Sequence, residues 1–253
     1  MKISISGLKL FKACRRAYEL KYIEGLTPVV GAPALAAGST YHEKLEELYK
    51  TGDVDVSDLS KESAMALAYK KYIYPVFEVQ QVEQWFDAPI IGNDKLIGRI
   101  DGLAKDGSIV EHKSTSAEIT EEYEYNLQWD EQILAYMWAT GSRKVWYTVC
   151  QKPTIRMKKG ESEQDFFDRM VDWYDESKIK VLEIERTDDE IDDFERNLRK
   201  MVEELRTDNY YRNTAYCTCW GRRCEYSPIC LHYDPEQEYV EFNRRDKDAD
   251  TKA

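Results

Sequence analysis

The pattern of apolar and polar positions along the chain predicts helices and strands in mixed order. Helical periodicity is strongest at 7–24, in a second helix that runs to about Lys50, and at 60–74, 126–140, 161–177 and 188–206. Strand-like runs occupy 77–87, 95–104, 108–114, 143–151 and 178–186. "TYHE" fits a capping box at Thr40, although the preceding "PALAA" can extend that helix backward. The order predicts one α/β domain over 1–235, and then a charged, poorly ordered tail over 236–253.

Composition narrows the class of protein. The 253 residues are 42% hydrophobic and 12% aromatic, which supports a substantial core and opposes disorder. There is no apolar run long enough to span a membrane, and the amphipathic, basic start is unlike a secretory signal. We therefore expect a cytoplasmic protein without a membrane partner, in the host cytoplasm if the chain is phage-encoded. The net charge of −12 opposes nonspecific nucleic-acid binding but allows a narrow site where metal ions offset phosphate charge.

Residues 98–116, "GRIDGLAKDGSIVEHKSTS", place charged residues inside strand-like runs. Alternate side chains share one face of a strand, so Glu111 and Lys113 point the same way. A two-residue "DG" turn pairs Asp101 with His112, whereas a three-residue "KDG" loop with a left-handed glycine places Asp101 opposite Glu111. Both turns are common. We favour the three-residue loop because it brings the acids and the lysine together.

Two neighbouring carboxylates repel each other unless a cation lies between them. A hard divalent ion with oxygen ligands is the usual solution, and it can activate water and stabilise charge on a phosphate. Lys113 can then orient the nucleophile or stabilise the developing negative charge. The alternative is a solvated hairpin face that carries an ordinary Glu–Lys pair.

Four short elements resemble a nuclease family. "GRIDGL" and "IVEHKS" resemble the Asp…Glu-x-Lys motif of the PD-(D/E)XK nucleases, with Ile100 where the motif's name has proline. "QILAY", Gln132 to Tyr136, is similar to the Gln-x-x-x-Tyr motif of the RecB-like branch. "GSTYHEKLEELY" resembles the Gly…His helix of that branch, with Gly38 and His42 at the matching positions. Together the elements are far more specific than any one alone.

The resemblance implies a mixed central sheet flanked by helices and a site for Mg²⁺ or Mn²⁺. The implied metal ligands are His42, Asp101, Glu111 and the backbone carbonyl of His112. The implied catalytic residues are Asp101, Glu111, Lys113, Gln132 and Tyr136. Gln132 and Tyr136 lie one helical turn apart, which suits contact with a DNA strand or positioning of Lys113. Glu83, in "VEQWF", corresponds to an upstream acidic residue of the family.

Six cysteines are present, and four of them lie within 14 residues, in "CTCWGRRCEYSPIC". In a cytosolic protein this spacing indicates metal more than disulfides. With Cys14 it resembles the iron–sulfur module of AddB-type and CRISPR-associated RecB-like exonucleases, which implies a [4Fe–4S] cluster. The usual Cys-x2-Cys-x5-Cys pattern is broken because position 221 is glycine. The implied ligands are Cys14, Cys219, Cys224 and Cys230, with Cys217 as the alternative to Cys219; structural Zn²⁺ also suits four thiolates.

The leading hypothesis is a metal-dependent DNA exonuclease, acting on single-stranded DNA by analogy with the family. Its setting would be recombination, repair, CRISPR adaptation or phage DNA processing, with a helicase or recombinase as a protein partner. The second hypothesis is a noncatalytic DNA-binding subunit of such a complex. The third is a zinc-stabilised interaction protein whose carboxylates lie on a solvated face.

Overall fold

The computed structural model describes residues 1–29, 33–221, 223–231 and 242–244, with side chains described for 1–29, 38–218, 223–231 and 243–244. The chain divides into two compact units. The larger unit comprises 33–88 and 97–196, and the smaller unit comprises 1–32, 89–96 and 197–253. The single domain over 1–235 that the sequence indicated stays a prediction.

The described residues form helices and strands in mixed order. The helices are α1 (Ile5–Ala13), α2 (Arg15–Tyr18), α3 (Pro33–Thr51), α4 (Lys61–Tyr72), α5 (Glu121–Leu127), α6 (Glu131–Thr140), α7 (Glu163–Asp172), α8 (Asp188–Leu205) and α9 (Ser227–Cys230). The strands are β1 (Lys2–Ser4), β2 (Leu26–Pro28), β3 (Val79–Ile91), β4 (Asp94–Ala104), β5 (Ile109–Thr115), β6 (Lys144–Gln151), β7 (Ile179–Glu185) and β8 (Phe242–Arg244). A π-helical turn covers Glu19–Ile23 and a 3₁₀-helix covers Thr214–Gly221.

The larger unit is built on a mixed sheet. Strand β4 pairs with β3 and with β5, and β5 runs parallel to β6, which pairs antiparallel with β7. Helices α3, α4 and α7 cover one face, where Tyr41 and Tyr69 are buried with Cys150. Helix α6 covers the other face and buries Ile133 and Met137 against the sheet. This is the helix-flanked mixed sheet that the sequence predicted.

Two predicted helices are each divided in the structure. The helix predicted over 7–24 breaks at Cys14, whose extended backbone (φ −159°, ψ 110°) ends α1 and begins α2. The helix predicted over 126–140 is separated into α5 and α6, because Asp130 caps α6 by accepting a hydrogen bond from the Gln132 N–H. Gly141 ends α6 in a left-handed conformation (φ 77°), as predicted. Periodicity alone does not show breaks one to three residues long.

Helix α3 begins at Pro33 rather than at Thr40, so the backward extension is correct and the capping box is wrong. Proline suits the first turn of a helix because no hydrogen bond is lost there.

The smaller unit holds segments from both ends of the chain. Strand β2 pairs antiparallel with β8, which lies inside the tail that was predicted to be poorly ordered. That prediction is wrong for Phe242–Arg244, because a strand partner satisfies their backbone groups. The rest of 236–253 lies outside the described residues. Cys14, Leu20, Leu26 and Tyr226 form the buried core of this unit.

Candidate active site

The hairpin between β4 and β5 sets the geometry of the candidate active site. Its register pairs Gly102 with Val110 and Leu103 with Ile109, and the same register places Asp101 opposite Glu111. Gly107 is left-handed (φ 84°) in the connecting loop. This is the three-residue loop that we favoured from the sequence, and the two-residue alternative is wrong.

His42, Glu83 and Asp101 converge at the edge of a cavity of about 550 Å³ in the larger unit. Each offers one ligand atom, and these atoms all lie within 4.8 Å of one another. His42 Nδ1 lies 3.2 Å from Asp101 Oδ1, and the His112 backbone N–H donates to Asp101 Oδ2 at 2.8 Å. Gly38 lines the same cavity. The structure therefore brings the predicted histidine and aspartate together.

Glu83 is held in an unusual way. Its backbone is left-handed (φ 53°) inside β3, a conformation that side chains other than glycine rarely adopt and that concentrates at functional sites. Its buried Oε2 accepts no hydrogen bond in the described part of the chain. Arg99 Nε lies 2.6 Å from this oxygen, but without hydrogen-bond geometry the contact is an ion pair only. Glu83 thus keeps a lone pair available for a cation.

Glu111, Lys113 and Gln132 form a closed polar network on β5 and α6. Lys113 Nζ donates to Glu111 Oε1 and, at 3.0 Å, to Gln132 Oε1. Gln132 Nε2 donates to Glu111 Oε1 at 3.0 Å and to the Tyr136 hydroxyl at 2.6 Å. That hydroxyl donates to the Arg99 carbonyl at 2.9 Å. Every polar group of the glutamine amide has a partner, and the ammonium fixes which end carries the oxygen.

Tyr136 is only 5% exposed, and its hydroxyl accepts from Gln132 Nε2 and donates to the Arg99 carbonyl, which favours positioning of Gln132 over contact with DNA. The sequence left both roles open for this helix face. Gln132 in turn orients Lys113 and Glu111, because its amide contacts both of them. We therefore treat Gln132 and Tyr136 as positioning residues.

His112 points to the opposite side of β5, as predicted, and is fully enclosed. Its Nδ1 lies 2.8 Å from Thr148 Oγ1, which donates to the Glu111 carbonyl at 3.2 Å. Because the hydroxyl has one hydrogen, Nδ1 must carry the ring proton and donate to it. Tyr49 stacks on the imidazole with ring centroids 5.9 Å apart. These contacts fix the backbone that follows Glu111, while the His112 carbonyl as a metal ligand stays a prediction.

Burial and neighbouring charges separate the acidities of the site. Burial and the neighbouring Asp101 carboxylate together raise the pKa of Glu111 to about 7, against the opposing effect of Lys113. Burial raises the pKa of Asp101, but the hydrogen bonds and charge interactions with His42 and His112 together outweigh burial and lower that pKa to about 2. Burial lowers the pKa of His112 to about 4. The two carboxyl groups therefore differ sharply in their demand for a proton.

The donor set fits a hard divalent cation. Imidazole nitrogen and carboxylate oxygens suit Mg²⁺ or Mn²⁺, and Glu83 Oε2 and Glu111 Oε2 are both buried without a hydrogen-bond partner among the described residues. His42, Glu83, Asp101 and Glu111 are the residues that would hold it. Such an ion supplies Lewis acidity for water activation and charge stabilisation on a phosphate. Lys113 presents its ammonium beside Glu111, where it can orient the nucleophile or stabilise negative charge.

Comparison with known families decides the classification. The family model of the PD-(D/E)XK nuclease superfamily matches residues 2–231. The chain belongs to this superfamily. Its members are nucleases that use divalent metal ions, while the roles of Asp101, Glu111 and Lys113 stay predictions. No curated protein matches the sequence.

One of three similar solved structures supports the fold. A suspected exonuclease from Eubacterium rectale superposes with a TM-score of 0.54 at 13% identity, over 86% of each chain. LHK-Exo from Laribacter hongkongensis, in complex with dAMP, reaches a TM-score of 0.44 at 16% identity, over 82% of this chain and 89% of its own. A phage-related exonuclease from Haemophilus somnus gives 0.36 at 16% identity, over 76% and 95%. At these identities the first similarity shows the fold, and the two lower scores add no argument.

Four cysteines come together in the smaller unit. Cys14 is buried beside Cys224 and Cys230, and electrostatic interactions connect Cys224 with Cys217 as well. The Asn213 N–H donates to the Cys14 sulfur at 3.4 Å. Cys217 and Cys230 line a cavity of about 520 Å³ with Arg212 and Arg223. The side chain of Cys219 lies outside the described residues, while Cys150 is buried in the larger unit, as expected.

Three features of the site were beyond the sequence reasoning. Arg99 is not a motif residue, and the pairing of β3 with β4 is what brings it next to Glu83. Thr148 contacts His112 because β6 runs parallel to β5, which no local pattern shows. Glu83 was noted as an acidic residue, but nothing in "VEQWF" indicates its left-handed backbone.

In the part of the chain that the structure describes, no helix is both long and apolar enough to cross a membrane.

Proposed function

We propose that this protein is a metal-dependent deoxyribonuclease that degrades single-stranded DNA from an end. The observation that carries the proposal is the pair of carboxylates that the hairpin register places opposite each other, the partly buried Asp101 and the buried Glu111, with Glu111 held beside Lys113 by the Gln132 network. A buried carboxylate is costly unless it is paired or bound to a cation, so the orphan oxygen of Glu111 supports metal binding. Membership of the nuclease superfamily supplies the chemistry.

The division of roles follows from the contacts. Asp101, Glu111, His42 and Glu83 would hold Mg²⁺ or Mn²⁺. Lys113 would act on the attacking water or on the phosphate, and Gln132 would keep its ammonium in place. We follow the family resemblance in placing the activity in recombination, repair, CRISPR adaptation or phage DNA processing, with a helicase or recombinase partner.

The test uses anaerobically purified protein and single-stranded DNA labelled in turn at each end. Reactions contain Mn²⁺ or EDTA, and Lys113→Ala is assayed beside the wild type. We expect metal-dependent cleavage that falls by about 10² to 10³ in the variant, the usual cost of removing one charge-stabilising group. The label released first gives the polarity, and a circular single strand should resist cleavage because it has no end.

Two outcomes would contradict the proposal. Cleavage of the circular strand would show an endonuclease. Binding without cleavage of single-stranded and duplex DNA, in wild type and Lys113→Ala alike, would favour the noncatalytic DNA-binding subunit instead.

We also propose that Cys14, Cys224, Cys230 and one cysteine of the Cys217/Cys219 pair hold a [4Fe–4S] cluster. Cys14, Cys224 and Cys230 lie in one core cluster of the smaller unit, which brings the N-terminal cysteine to the C-terminal ones, as the resemblance to the iron–sulfur module implies. Four thiolates also suit structural Zn²⁺, and metal analysis distinguishes the two.

Iron and acid-labile sulfide should be present in equal amounts in the anaerobic protein, which should be brown. Cys14→Ser should lose both, whereas Cys150→Ala should keep them because Cys150 lies in the other unit. A colourless protein that contains zinc would contradict the cluster, and separate Cys217→Ser and Cys219→Ser variants would identify the fourth ligand.

A further inference from the structure

Trp85 is an exposed aromatic residue beside the candidate active site. It lies in β3, two residues after Glu83, and 55% of its surface is exposed. A single exposed tryptophan is ordinary on a protein surface, so the significance of Trp85 depends on its contacts. The family motifs do not include this residue.

Arg99 connects Trp85 to the metal-binding group. Its guanidinium carbon lies 5.6 Å from the centroid of the Trp85 ring, within the range of a cation–π contact. Its Nε lies 2.6 Å from Glu83 Oε2. The Arg99 carbonyl accepts the hydrogen bond from Tyr136. Arg99 of this pair therefore contacts both parts of the site: Glu83, one of the residues that would hold the metal, and Tyr136 of the Gln132 network.

The charge around the cavity gives Arg99 a specific role. The described residues that line it include three glutamates, and Arg99 is the one guanidinium or ammonium group among them. A phosphate entering this cavity meets net negative charge until cations bind. Once a cation takes Glu83, the ion pair with Arg99 is weakened, and a half-exposed guanidinium becomes available for a phosphate.

We infer that Trp85 and Arg99 form a nucleotide-binding platform, in which the indole stacks on an unpaired base and the guanidinium contacts the phosphate of the same strand. The inference rests on the proposed nuclease function and adds the residues that would recognise a single strand. Stacking on an aromatic side chain tolerates any base, but it requires a base whose face is free. The platform thus selects single-stranded over duplex nucleic acid without reading sequence.

The test measures binding of a fluorescent single-stranded oligonucleotide by anisotropy, with Mn²⁺ present. The Lys113→Ala protein serves as the background, and a gel confirms that the strand stays intact. Loss of one stacked base weakens binding by about 5- to 150-fold, so Trp85→Ala should fall in this range. Trp85→Phe should keep most of the affinity. Trp129→Ala is the matched control, because Trp129 is 71% exposed and contacts Tyr125 rather than Arg99.

A second measurement separates stacking from a structural role. A single abasic nucleotide is moved along the oligonucleotide, and at one position it should weaken binding to the background protein as much as Trp85→Ala does. In the Trp85→Ala protein, the same abasic position should cost nothing further, because the two changes remove one interaction. A blunt duplex should bind equally to both proteins.

The inference falls if Trp85→Ala binds like Trp129→Ala, or if the abasic and Trp85→Ala losses add. These outcomes are distinct from failure of the proposed function. Cleavage by the wild type together with an unaffected Trp85→Ala variant overturns only the platform. If the abasic test gives the expected result but the wild type never cleaves DNA, only the nuclease function is overturned.

Discussion

At the scale of single residues, the order of the candidate active site depends on Gln132. Its amide contacts Glu111, Lys113 and Tyr136 together, and no other group among the described residues does so. Both amide hydrogens and the amide oxygen are in use, so a shorter or differently charged side chain leaves at least two partners unsatisfied.

Gln132→Ala is expected to reduce cleavage by about 10- to 100-fold, the range typical of partners that orient ligands and catalytic groups. The reason is that Lys113 and Glu111 lose their common support while both remain present. Steady-state cleavage of a labelled single strand measures the effect. Gln164→Ala is the control, since Gln164 is an exposed residue that pairs with Asp168 on α7. Equal activity of the two variants would show that Gln132 does not position the catalytic groups.

The pKa of Glu111, raised to about 7, predicts pH-dependent metal binding. Below about pH 7 the folded protein keeps a proton on Glu111 that an ordinary glutamate has lost, and a cation must displace it. Affinity for Mn²⁺ should therefore rise with pH and level off above about pH 7. Calorimetry in buffers of different ionisation enthalpy should detect proton release near pH 6 and much less near pH 8.5, by about one proton.

Glu111→Gln tests this effect directly, because His42, whose pKa is raised against burial by Asp101 and Glu111, also contributes to the total. The variant should release up to about one proton fewer than the wild type at the lower pH. An unchanged number of protons would show that Glu111 is already ionised in the metal-free protein.

Residue identities were the part of the site most accessible from the sequence. Asp101, Glu111 and Lys113 could be grouped because strand alternation and a short loop leave only two registers. The glutamine amide orientation, the Thr148 hydroxyl and the Arg99 ion pair could not be predicted, because each depends on a contact between strands or helices far apart in sequence.

At the scale of elements, β3 and β4 must approach closely to support α6. A Cβ added at Gly98 would lie 2.5 Å from a ring carbon of Phe86. Phe86 packs edge-on against Tyr136, with ring centroids 5.7 Å apart. The missing side chain at Gly98 thus lets an aromatic ring fill the space next to the positioning tyrosine.

Gly98→Ala is expected to destabilise the fold by about 1–3 kcal/mol, the usual cost of overpacking. Urea unfolding of the metal-free protein measures the change in the free energy of unfolding. Adding Phe86→Leu should recover part of the loss, since a smaller side chain relieves the overlap. A double variant no more stable than Gly98→Ala would show that the cost lies in the backbone instead.

Long periodic elements were predictable, whereas their interruptions were not. The apolar stripe of α8 and the strands β5 and β6 occupy nearly the predicted ranges, because burial of one face sets their period. The break at Cys14 and the strand β8 have partners about two hundred residues away, which local periodicity does not show.

At the scale of the whole molecule, the net charge of −12 makes DNA binding depend on cations. Divalent ions at Glu83, Asp101 and Glu111 would offset the repulsion between the acidic protein and a phosphate at the place where that phosphate must approach. Lys113→Ala protein is therefore expected to lose most of its affinity for a single strand when EDTA replaces Mn²⁺.

Anisotropy at fixed ionic strength measures this dependence, and Ca²⁺ should restore binding because it also takes oxygen ligands. Binding that persists unchanged in EDTA would place the main DNA contacts away from the carboxylates.

The smaller unit has a consequence for the time course of biosynthesis. The Tyr226 hydroxyl donates to the Leu26 carbonyl across 200 residues of chain. A ribosome adds about 5–20 residues per second, so the early segment waits roughly 10–40 s for its partner. Throughout that interval, Cys14 is present without the three later cysteines that are proposed as its co-ligands. Any inorganic group that they share can enter only after translation has passed Cys230, which makes its insertion one of the last steps in maturation.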